Sequence, residues 1–133
     1  MKTRPRKNGS VFVIIVFVVA LLAVVTIGIL QLNTEEIQLM QNQIYAAEAL
    51  ATAEAGLNDA FARIRQGNNP NITDESFNNG SYTVTVEGSW PDPNIISEGT
   101  SSQGFVSRVK ADITRTIAGS PYVIRIDNLR INE

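Results

Sequence analysis

Val11 to Leu30 is a run of twenty residues without a charged side chain, and beyond it the apolar positions thin into a helical and then a strand-like rhythm. As a helix rising about 1.5 Å per residue, the run covers about 30 Å, the thickness of a bilayer's hydrocarbon core. From Ser10 to Gln66 there is no proline and only Gly28 and Gly56 interrupt, so the pattern predicts one unbroken helix over 10–66, stopped by the turn signal "QGNNPN". Such a helix would reach about 85 Å, so most of it projects beyond a membrane. Past the uncharged run, Ile37, Met40, Ile44, Ala47, Leu50, Leu57, Phe61 and Ile64 recur at intervals of three, four or seven residues and trace one face that needs a cover. The C-terminal part is expected to supply it beyond Leu50, and neighbouring subunits below. A coiled-coil dimer ranks lower, because charges at flanking positions are sparse and alanine is abundant.

From Gly67 the period changes to two. Tyr82, Val84 and Val86 alternate with Thr83, Thr85 and Glu87, which predicts a strand with one buried face. In "FVSRVKADITRTI", Phe105, Val109, Ala111, Ile113 and Ile117 point one way while Arg108, Lys110, Asp112 and Thr114 point the other. Residues 122–131 form a last strand in which Tyr122, Ile124 and Ile126 hold one phase and Leu129 and Ile131 the other, so a bulge or bend is expected near Asp127 and Asn128. A short strand at Ile95 and Ile96 fills the space between the first two, and Trp90, in the proline-flanked "GSWPDPN", reads as a lid on the core ahead of the alternative, a hot spot for a partner. The fold class predicted is α+β: a long N-terminal helix, membrane-spanning in its first half, packed against a small antiparallel sheet of about four strands.

Composition excludes more than it suggests. The 133 residues support one domain, with no cysteine to staple it and no histidine to serve as general base or metal ligand. The adjacent carboxylates Glu35 with Glu36, and Asp74 with Glu75, diverge rather than converge on a pocket, so a capping or solvated role outweighs acid–base catalysis. "GNNPNITDESFNNG" is rich in oxygen but lacks EF-hand spacing, and reads as a flexible turn region. The sequons at Asn71 and Asn79 are three-residue patterns that arise by chance. No phosphate-binding glycine loop or nucleophile motif is present, and no catalytic residue, metal or cofactor is assigned. Without its first nine residues the chain carries seven basic and thirteen acidic side chains, a balance that repels a polyanion, so no nucleic-acid partner is expected.

Lys2, Arg4, Arg6 and Lys7 precede the apolar run and Glu35 and Glu36 follow it, which orients the N-terminus to the cytoplasm and exports the remainder. No small-residue exit of the Ala-x-Ala kind closes the run, so it does not read as a cleaved secretory signal. A basic leader ending in glycine, "MKTRPRKNG", followed by Ser10 and an apolar stretch that continues into a long helix, resembles the class III signal of the type IV pilin superfamily. "ATAEAGLNDA", holding Ala53, Glu54, Ala55, Gly56 and Leu57, resembles the Ala-Ala-Glu-Ala-Gly/Ala-Leu segment of PilX-like minor pilins, with Glu54 lying 45 residues after Gly9. The upstream "YAAEAL" with Glu48 is a weaker echo. The likeness covers roughly residues 1–65, although "GTSSQGFVSRVKADIT" is similar in style to the turn and strand that close many pilin-like domains.

The resemblance implies cleavage between Gly9 and Ser10 by a prepilin peptidase, methylation of the new N-terminus, and an apolar helix kept as an inner-membrane anchor and then as a filament element against other pilin subunits. It implies a division into a leader (1–9), a membrane and filament-core half of the helix (10–32), an amphipathic half (33–66) and a β-rich lobe (67–133). One departure matters. Major pilins carry a glutamate at the fifth mature residue, where this chain has Ile14. A carboxylate in that apolar setting is tolerable only when it meets a neighbour's N-terminal ammonium. Its absence points to a minor subunit serving pilus priming or a tip. The alternatives are a minor pseudopilin of a type II secretion system and an unprocessed single-span anchor displaying a binding domain; an exported hydrolase lacks a convergent pocket.

Overall fold

The computed structural model describes residues 8–116 and 119–132 and contains one helix, α1 (Asn8–Arg65), followed by β1 (Ile72–Phe77), β2 (Gly80–Glu87), β3 (Asn94–Thr100), β4 (Val106–Arg115) and β5 (Ile124–Ile131). Lys2, Arg4, Arg6, Lys7 and Ile117 lie outside the described residues. The chain divides into two compact units, one up to Gln41 and one from Asn42 onward.

The first unit is the N-terminal part of α1. Every large apolar side chain from Val11 to Leu30 is exposed, and Ile37, Leu39 and Met40 are exposed as well. Thr26, the hydroxyl within the uncharged run, donates to the carbonyl of Leu22 at 2.8 Å, and Thr34 donates to that of Leu30 at 2.9 Å. A hydroxyl satisfied by its own helix four residues back does not need water.

The second unit packs the C-terminal turns of α1 on a five-stranded antiparallel sheet in the order β1-β2-β3-β4-β5. The helix ends in a Schellman cap: Asn68 N–H donates to Arg63 O, Gly67 N–H donates to Ile64 O, and Gly67 takes φ 78°, with Pro70 preventing continuation. The core joins Ala53, Leu57, Ala60 and Ile64 of α1 to Ile72, Tyr82, Val84, Ile95, Val109, Ala111 and Ile113. The alternation predicted for β2 and β4 is realised: Tyr82 and Val84 are buried with Val86 at the margin, and Val109, Ala111 and Ile113 are buried on one face of β4. In β5 the expected bulge is present, since Asn128 pairs with Asp112 and Ile126 with Ile113, which leaves Asp127 as the extra residue. Its carboxylate accepts from the Thr114 hydroxyl at 2.6 Å and from Arg125 Nε at 2.7 Å, and these contacts hold its pKa below the usual aspartate value, the Thr114 bond first.

Three expectations are corrected. The sheet has five strands rather than about four, because β1 forms inside the stretch read as a flexible turn region. β1 gives no period-two signal: only Ile72 is buried, and a bulge between Ile72 and Glu75, with Asp74 at φ 49°, breaks its phase. β3 is seven residues long rather than a fragment at Ile95 and Ile96, and its buried positions after Ile95 are Ser97 and Gly99, which hydrophobicity does not mark. The covered face of α1 is made by Ala49, Thr52, Ala53, Gly56, Leu57, Ala60 and Ile64, so the predicted stripe holds only at Leu57 and Ile64, with Leu50 and Phe61 half-buried. Ile44 and Ala47 remain exposed.

Small residues define that face because helix and sheet approach closely. A Cβ on Gly99 would collide with the Ala53 backbone nitrogen and the Ala49 carbonyl, and one on Gly56 would lie 2.5 Å from Ser97 Oγ and 2.7 Å from the Tyr82 ring. Gly99→Ala is therefore expected to cost about 1–3 kcal/mol of lobe stability, as overpacking does. Gly28→Ala, whose Cβ meets nothing within 4 Å, should leave it unchanged; denaturant unfolding of the full chain in detergent measures both. A second expectation concerns acid. The depressed Asp127 pKa contributes stability that is present above the unfolded aspartate value and is lost as pH falls through the lower folded one, so Asp127→Asn should flatten that part of the acid-unfolding limb.

Candidate functional site

Among the described residues, the chemistry-bearing side chains do not gather into a reaction centre. Glu35 and Glu36 are exposed neighbours on α1, and Asp74 and Glu75 stand exposed on the edge strand β1. What the structure offers instead is surface, one kind in each unit.

In the first unit the surface is the uncharged run itself. Val11–Leu30 presents apolar side chains all around the helix with none of its most apolar window buried, a distribution that water does not tolerate and lipid or other helices do. By length and composition, this helix is able to cross a membrane. Gly9 and Ser10 are exposed in its first turns, and no atom outside the local helix lies within 4 Å of a Cβ placed on Gly9. Ile14 is 58% exposed, one more apolar side chain on the bare surface of the run.

In the second unit the motif residues Ala53 to Leu57 are divided by their position on the helix. Ala53, Gly56 and Leu57 face the sheet and are buried, Ala55 is half-buried, and Glu54 is exposed. Ser97 Oγ donates to the Ala53 carbonyl at 2.6 Å, a buried bond that is possible only because Gly56 and Gly99 leave the two backbones room to meet. The motif is thus the seat of the sheet, and its glutamate is the one member turned to solvent. Of the two Ala-Glu-Ala stretches, it is the upstream one whose glutamate bonds to the lobe: Glu48 accepts from the Ser102 hydroxyl at 3.2 Å and faces its backbone N–H at 3.4 Å, tying down the β3–β4 loop. Tyr45 stacks on Phe105 of the same loop at 5.8 Å. Nothing in the spacing of Glu48 marked that role, because its partner lies 54 residues away.

Two further features sit at the margins of the sheet. Ile126, Leu129 and Ile131 pair with Ile113, Ala111 and Val109, so all three share the helix-side face, yet each is about half exposed because the helix lies over the more central strands. With Leu57, Phe61 and Val109 they line a groove of about 210 Å³, bordered by Glu54 and Asn58. At another place Arg115 is stacked between Trp90 and Tyr122, 3.9 and 4.2 Å from their ring centroids, while Arg115 N–H donates to Pro91 O and Ile113 N–H to Pro93 O. Trp90 therefore closes over the end of β4 through this cation, and remains 39% exposed.

If the motif acts through packing, Gly56→Val should lose the folded lobe while Glu54→Gln leaves it intact. Protease resistance of the two variants in membranes separates these outcomes.

Comparison of the chain with protein-family models, with curated proteins and with solved structures finds no match.

Proposed function

We propose that this protein is a minor subunit of a type IV pilus-like filament: a prepilin processed between Gly9 and Ser10, held in the inner membrane by Val11–Leu30 with its lobe exported, and later inserted among other pilin helices. The observation that carries the reading is the pairing of a fully exposed, uncharged helical run with a motif downstream on the same helix that seats a small sheet. A soluble protein has no use for the first, and a simple anchor has no need for its helix to serve as the core of the displayed domain.

The proposed action is physical. In the membrane, lipid covers the apolar run; in a filament, the same side chains are covered by neighbouring helices. At about 25 cal/mol per Å² the burial is worth many kcal/mol, but lipid provides most of that already, so the difference between the two environments is small and extraction needs work from assembly machinery. Ile14 fits a subunit recruited without the glutamate–ammonium contact, which favours a priming or tip position. The four basic residues ahead of the run against Glu35 and Glu36 behind it support the cytoplasmic N-terminus.

N-terminal sequencing of the protein from native membranes tests the reading: an N-methylated chain beginning at Ser10 is expected, and Gly9→Val should yield only the longer, unprocessed species. An intact Met1 on the wild-type protein would overturn it.

A further inference from the structure

The β1–β2 hairpin turns on Asn78-Asn79-Gly80, a stretch that neither the core nor the proposed function uses. Phe77 pairs with Gly80, so Asn78 and Asn79 are the whole loop, with Asn78 at φ 52°. Asn79 is exposed, and among the described residues its amide makes no hydrogen bond. Other asparagines of the lobe are held or blocked. Asn71 accepts from Val86 N–H at 2.9 Å, Asn132 accepts from the Ser107 hydroxyl at 2.6 Å, and Asn69 is followed by Pro70, which has no N–H. In the sequence only Asn8 and Asn79 precede a glycine, and Asn8 opens the helix α1. Gly80 is required for space, since a Cβ on it would collide with the Thr100 carbonyl. The same missing side chain leaves its backbone nitrogen open to the amide carbon of Asn79.

We propose that Asn79 is a site of spontaneous covalent modification, gated by fraying of β1. The Gly80 nitrogen bonds to Asn79 Cγ, the Cγ–Nδ2 bond breaks, and the amide nitrogen leaves as ammonia with the proton that Gly80 gives up. Water then opens the resulting succinimide to aspartate or isoaspartate, with no enzyme, oxidant or cofactor taking part. In the closed hairpin the Gly80 N–H faces the Phe77 carbonyl, the pairing that closes a two-residue loop, so the nitrogen reacts only when that pair opens. Opening costs little at this end. β1 is an edge strand with only Ile72 buried, a bulge interrupts it between Ile72 and Glu75, and Phe77 is 37% exposed. Isoaspartate carries the main chain through the side-chain carbon and so adds a backbone atom to a loop of two residues. The Phe77–Gly80 and Ser76–Ser81 pairs then cannot close as before, and the new carboxylate joins Asp74, Glu75 and Glu87 in a stretch, Gln66 to Ser107, that holds no basic residue. The end of β1 therefore stays open once the reaction has occurred.

This chemistry is independent of cleavage at Gly9. Full-length protein in detergent is mapped by mass spectrometry, fresh and after days of incubation. Aspartate and isoaspartate are expected at Asn79, faster in mildly alkaline than in mildly acidic buffer because the attacking nitrogen must lose its proton, with Asn71 and Asn132 unchanged. Ile72→Ala, which loosens β1, should raise the rate several-fold; Phe77→Ala takes its place should the Ile72 variant lose its protease-resistant lobe. A non-specific protease should cut aged wild-type protein within β1. Freshly prepared Asn79→Asp, which adds the charge without the extra backbone atom, and aged Asn79→Gln should both resist it. An unmodified Asn79, conversion spread equally over the lobe's asparagines, indifference to the β1 variants, or equal resistance of aged and fresh protein would overturn the proposal while leaving the N-terminal sequencing result unaffected.

Discussion

The closeness of α1 to β3 is the constraint on which the lobe depends. Gly99 lies against the backbone at Ala49 and Ala53, Gly56 lies against Ser97 and Tyr82, and the Ser97 hydroxyl closes the gap onto the Ala53 carbonyl. Two glycines, two alanines and a serine act together, since enlarging any one moves the helix away and strands the others. The arrangement trades side-chain burial at the centre for short distance, and the larger residues, Leu57, Ile64, Ile95 and Ile113, then fill the space around it.

Several features follow from that contact. With the helix held over the central strands, the sheet's margins are uncovered, which is why Ile126, Leu129 and Ile131 are half exposed although they share a face with buried neighbours on β4. The loop after β3 is drawn against α1 as well, where Glu48 and Tyr45 engage Ser102 and Phe105. At the other end of β4, the Trp90–Arg115–Tyr122 stack joins the loop before β3 to the residues just ahead of β5. A lobe of this size without disulfides relies on such contacts, because its core alone is small.

One helix thus carries two kinds of surface. Its uncharged run has apolar side chains in every direction, as a lipid or helix environment requires, whereas its last turns bury a stripe of small residues and end at a cap. The proposed filament role uses both properties, the first for partition between membrane and assembly, and the second for carrying a rigid lobe with it.

Much of this was legible in the sequence because it depends on local rules. The uncharged run, the absence of proline from Ser10 to Gln66, the Gly67 stop, the alternation in β2 and β4, and the phase change at Asp127 are each decided by near neighbours or by strict periodicity. What the tertiary structure alone decided are the features whose cause lies far along the chain. β1 exists because β2 offers it backbone partners, not because its own side chains are apolar. β3 runs to Thr100 because Ser97 and Gly99 face a helix backbone, and the buried side of α1 is chosen by closeness of approach, which a hydrophobicity pattern does not register. Glu48, not Glu54, holds the lobe for the same reason: a hydrogen bond over 54 residues leaves no trace in spacing.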